Sequence, residues 1–202
     1  MKSILLTIAL CFALGAVSPA QNTGAAQSGS AMSAPDANNN QRSRGELSQS
    51  GIDRIVKEVH HELALQPYYS VFDNLAYKVT PDGTVALMGQ VVDPTLKSSA
   101  EGAVKHIEGV TRVDNQIEVL PTSPNDDHIR RAVYRSIYGN DVLSPYSLRA
   151  VPPIHIIVKN GHVTLTGVVA RPMDKQIAEM QAKSVPGVFS VQDDLQVENP
   201  HS

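Results

Sequence analysis

From Ile52 onward, apolar positions follow two rhythms that occur twice in the same order. Ile52, Ile55, Val56, Val59 and Leu63 recur at helical spacing, and Ile129, Ala132, Val133 and Ile137 do so again further on. Each helical stretch runs toward a Pro-Tyr pair, Pro67-Tyr68 or Pro145-Tyr146, which is expected to stop it. Asp126 or Asp127 is expected to cap the second of these helices, with Pro124 keeping the entering chain extended. Alternation then takes over. In the second copy Asn160-Gly161 is a strong two-residue hairpin signal, pairing Val158 with Val163, Ile156 with Leu165 and Ile154 with Gly167. The first copy has one residue more in the turn, with Pro81 starting it and Gly83 left-handed. Val79 then faces Val85, Tyr77 faces Leu87 and Leu75 faces Gly89, so two different turns bury the same face.

A second helix is predicted over 94–107 and again over 172–185, each with Pro in its first turn. Leu96, Ala100, Ala103, Val104 and Ile107 form one apolar face, and Met173, Ile177, Ala178, Ala182 and Val185 the other. Gly109 and Gly187 close these helices, and 110–119 and 188–197 alternate as final strands. The fold class is α+β: two tandem αββαβ domains, each a three-stranded mixed sheet covered on one face by two helices. The third strand runs parallel to the second by right-handed crossover.

The duplication is direct. Shifting 83–119 by 78 positions aligns it without a gap on 161–197, with 14 identities in 37 positions; roughly two are expected from ordinary composition. The recurring residues include the Gly-x-Val-x-Leu-x-Gly run of each hairpin and the pairs Lys97/Lys175 and Glu101/Glu179. Domains are expected at 51–120 and 125–198. Before them, 1–20 reads as a secretory signal: Lys2, an apolar run over 4–17, then Ser18 and Ala20. The stretch 21–50, rich in Asn, Ser, Ala, Gly and Gln, is expected to be a disordered spacer.

The second copy carries the hairpin Ile154 to Gly167, the run Pro186-Gly187-Val188 with Val191, and a closing strand through Val197. In these residues it resembles the BON domain, named for bacterial osmotically inducible and nodulation proteins. The first copy matches less tightly, with Glu108 in place of Pro186. The resemblance implies a non-enzymatic, periplasmic protein of the cell envelope, associated with phospholipid and osmotic stress.

Composition and charge narrow the chemistry. The single cysteine, Cys11, lies in the expected leader, which leaves the rest without a thiol. The net charge of −3 and the lack of a basic–aromatic stripe argue against nucleic acid. His60 and His61 point about 100° apart on a helix, and the hairpin register sets His155 opposite Thr166 and His162 opposite Lys159. Neither pair forms a metal site, and phosphate-binding glycine motifs and a nucleophile elbow are missing. No catalytic residue, cofactor or metal is expected.

Charge does differ between the copies. Six basic residues stand against ten acidic ones over 51–120, and eight against eight over 125–198. On the second copy's first helix Arg131 and Arg135 are one turn apart, with Arg130 beside them. These three are the candidate contacts to anionic phospholipid headgroups, as a peripheral association. The alternative is an envelope protein as partner, held through exposed sheet edges.

Overall fold

The computed structural model describes residues 47–198, together with the backbone of 4–7. Helix α1 (Gln49–Ala64) starts on Ser48, whose hydroxyl accepts the Gly51 N–H, and so begins just inside the stretch expected to be spacer. Its buried face is Ile52, Ile55, Val59 and Leu63. Strands β2 (Asn74–Val79) and β3 (Thr84–Val91) form the first hairpin, in the register expected from the sequence. Helix α2 (Pro94–Lys105), capped by the Asp93 carboxylate, crosses back to a strand parallel to β3. That strand is in two pieces, β4 (Arg112–Asn115) and β5 (Glu118–Val119). Strand β1 (Ile4–Thr7) lies antiparallel on the outer side of β2. The remainder of the expected leader, and the spacer up to 46, lie outside the described residues.

The second unit repeats the order without the additions. Helix α3 (Pro124–Tyr138) leads through a 3-10 turn (Ser144–Leu148) to β6 (Ile154–Lys159) and β7 (His162–Val169). Helix α4 (Pro172–Lys183) and β8 (Ser190–Val197) follow, β8 parallel to β7 along its whole length. The expected pairs Val158–Val163, Ile156–Leu165 and Ile154–Gly167 all form. Asn160 and Gly161 both have positive φ, as the tight turn between these twisted strands requires. The closing glycine of each hairpin motif has a different reason. A Cβ on Gly89 would lie 2.0 Å from the Asn74 carbonyl oxygen, and one on Gly167 would lie 1.9 Å from that of Pro153.

Each unit closes its own aliphatic core between the helices and one sheet face. Four sequence expectations are corrected. The first unit's third strand is in two pieces, although Leu87–Asn115 and Gln90–Glu118 keep one register. The cap of α3 is Ser123, with Pro124 inside the first turn. Asp126 instead accepts the N–H groups of Asn160 and Gly161, both at 2.8 Å, tying the helix start to the hairpin turn. Finally, α3 ends at Tyr138, well before Pro145, and Met173 is exposed rather than facing the core. Asp174 takes the position of Leu96 and is buried there, held by Arg171 at 2.8 Å and by the Tyr146 hydroxyl at 2.7 Å.

Candidate functional site

The loop 66–73, between α1 and β2, joins the two units. Asp73 sets its shape: one carboxylate oxygen accepts the Ser70 N–H and hydroxyl, and the other accepts the Val92 N–H at 2.8 Å. Held this way, Val71 belongs to the second unit's core, and its carbonyl accepts the Ile156 N–H of β6 at 2.8 Å. Beside it the Tyr69 ring stacks on His155, centroids 5.4 Å apart, with the hydroxyl 3.4 Å from Nε2. His155 lies opposite Thr166, as the hairpin register predicts, and is buried on the outer face of β6. Burial lowers its pKa, and the Asp73 and Ser70 backbones and the Asp73 charge only partly oppose this. Lys159 reaches Glu118 of the first unit at 2.5 Å.

A groove of about 640 Å³ opens along this junction. From one side it is lined by Tyr69 and Phe72, from the other by Arg131, Tyr134 and Arg135 of α3, and at its rim by Arg149. Phe72 meets Tyr134 edge-on at 6.1 Å, and Tyr134 packs on Tyr138 at 4.9 Å, so the aromatic wall spans both units. All three arginines are exposed, and no carboxylate lines the groove. Among the described residues none of the three guanidinium groups enters an ion pair. Leu148, next to Arg149, is 86% exposed.

The three sequence candidates therefore separate. Arg131 and Arg135 share the groove, one turn apart on α3. Arg130 does not: it is 3% exposed, pairs with Asp127, and donates to the Val158 carbonyl at 2.8 Å. It fastens α3 to β6 and cannot reach a headgroup, because a helix turns neighbouring residues about 100° apart. Arg149, Tyr69 and Phe72 were missed because they belong to two loops with no periodic signal, and Tyr134 because it lies off the apolar stripe of α3. The cue was that the second copy takes four more residues than the first to pass from its first helix to its Pro-Tyr pair, Pro145-Tyr146, so its connection is longer. The first unit's α1–α2 cleft is lined by Glu58, Glu62 and Glu108 with His61 and His106. Among the described residues no cluster of His, Cys, Asp and Glu is arranged to hold a metal ion, and no helix is long and apolar enough to cross a membrane.

Two tandem αββαβ units, joined by a loop that enters the next core, define a class of small α+β repeat proteins. The model of the BON domain matches this chain twice, over residues 52–121 and 125–199, and the chain belongs to that family. No curated protein matches the chain. Among solved structures it is similar to the C-terminal domain of CdsD, the structural protein of the type III secretion system of Chlamydia trachomatis. That likeness has 13% identity and a TM-score of 0.27, and covers 72% of this chain and 98% of that one. A second structure of CdsD from the same organism gives 13% identity and a TM-score of 0.28, covering 73% of this chain and 94% of that one. These likenesses are too distant to carry a function.

Proposed function

We propose that this is a non-enzymatic module of the cell envelope that associates peripherally with anionic phospholipid through the groove of Arg131, Arg135 and Arg149, supporting envelope integrity under osmotic stress. Membership of the BON family supports the envelope setting and the general association with phospholipid. The observation that carries the site is the lining itself: three exposed arginines, no carboxylate, and an aromatic wall. A guanidinium makes paired hydrogen bonds to phosphate oxygens, and each basic residue near an anionic surface contributes about 1 kcal/mol. The exposed Leu148, next to Arg149 in the sequence, provides the apolar contact that headgroup attraction alone lacks. The attraction has to be local, since the chain as a whole is acidic.

Co-sedimentation with phosphatidylglycerol-containing vesicles, against phosphatidylcholine alone and at two salt concentrations, tests this. Binding should require the anionic lipid, weaken with salt, and fall at least tenfold in the Arg131→Glu/Arg135→Glu variant. Unchanged binding by that variant, folded by circular dichroism, would remove the groove from the function. A protein partner is the alternative reading, and it draws on a different part of the molecule.

A further inference from the structure

A second cleft, of about 440 Å³, opens where the outer sheet face of the second unit meets the first unit. That volume falls within the roughly 300–1,000 Å³ of small-molecule sites. The strand period decides its lining. Val163 and Leu165 point into the core, so Thr164 and Thr166 point outward, with Gln192 and Asp194 opposite them on β8. The first unit contributes Asn74 and Gln90, which face each other across its own hairpin.

These side chains are polar, uncharged and idle. Among the described residues, the side chains of Asn74, Gln90, Asn160, Thr164 and Thr166 make no hydrogen bond. Thr166 is 8% exposed, and a hydroxyl in so buried a residue normally has a partner. An amide or a hydroxyl group both donates and accepts, so the cleft presents mixed donors and acceptors. Its charged groups are already engaged: Lys159 pairs with Glu118, and Asp194 accepts from Gln192 at 2.9 Å. Leu120 and Ile157 add buried aliphatic surface to the same lining. The duplication shows that the hydroxyls are particular to the second sheet, because Ala86 and Met88 stand in the first unit where Thr164 and Thr166 stand.

We propose that this cleft binds an uncharged oligosaccharide. A pyranose ring matches the lining on both counts. Its hydroxyls, each a donor and an acceptor, meet the free amides and the two threonines, and its C–H face lies on Ile157 and Leu120. A phosphodiester offers acceptors only and is repelled by Asp194, which separates this cleft from the arginine groove. An extended peptide finds no strand edge here, because β3 and β7 are paired on both sides. The site does not depend on the lipid reading.

Cellotetraose and tetra-N-acetylchitotetraose are the probes, added at millimolar concentration to the isotopically labelled full chain and followed by amide chemical shifts. At least one should give saturable shifts at Asn74, Thr164, Thr166 and Gln192, with the amides of Arg131 and Arg135 unmoved. Thr166→Val keeps the shape and removes the hydroxyl, and Asn74→Ala removes an amide from the other wall. Each should weaken the binding about fivefold, as for one neutral hydrogen bond, while co-sedimentation with vesicles stays as in the unaltered chain. The Arg131→Glu/Arg135→Glu variant should bind the saccharide unchanged. No saturable shift with either probe would overturn the proposal, as would unaltered affinity in both cleft variants. Saturable shifts at the same residues from inorganic phosphate would assign the cleft to an anion, which also overturns it.

Discussion

At the residue scale, the sharpest contrast is between neighbours on β7. Leu165 is fully buried against α3 and α4, whereas Thr164 points to the opposite face and is partly exposed. Leu165→Ala should cost about 2–5 kcal/mol in chemical denaturation, and Thr164→Ala little; equal losses would contradict the register. Glycines divide in the same way. Gly167→Ala would drive a Cβ into the Pro153 carbonyl at positive φ and should prevent the second unit from folding stably. Gly102 lies in α2 with nothing near a prospective Cβ, so Gly102→Ala should stabilise by about 0.5–1 kcal/mol, read as a higher melting temperature. These residues were legible because period-two alternation fixes which side chain points inward. Asp174 was not legible: a carboxylate in a core position is held by Arg171, three residues before it, and by Tyr146, which reaches it from a distant loop that no local pattern announces.

At the element scale, the hairpins, both crossovers and the parallel third strands could be read from turn chemistry and the duplication. The ends of α3 could not. Three polar residues near its start compete for its free N–H groups, and Ser123 wins because Asp126 is engaged by the Asn160-Gly161 turn. Asp126→Ala should therefore act on the hairpin rather than on the helix cap. A loss of about 1–3 kcal/mol is expected for leaving the buried Gly161 N–H and the part-buried Asn160 N–H without their acceptor. The telling observation is faster hydrogen exchange at Asn160 and Gly161, with α3 itself unaffected. Of the candidate site, sequence located the pair on α3 through its i, i+4 spacing. The other half is set by the loop 66–73, whose path depends on Asp73 reaching Val92, a contact between residues far apart in sequence.

At the scale of the whole molecule, the junction should respond to pH. His155 is buried against Tyr69, and its folded pKa lies below the ordinary value of 6.5. Between that folded value and about 6.5 the unfolded chain binds more protons than the native one, so stability falls as pH drops through this window and levels off beneath it. Denaturation midpoints at pH 7.5 and 5.5 should differ in this direction, and His155→Gln should flatten the difference. An equal dependence in that variant would assign the effect to another group. More than the linking chain holds this junction: the Val71 carbonyl bonds β6, Tyr69 stacks on His155, Phe72 meets Tyr134 and Lys159 pairs with Glu118. A bead on a single thread can spin, whereas a plank nailed twice cannot. Whatever surface grips the arginines on one plank therefore also aims the other, and the heading of the first unit is decided by where the second unit lands.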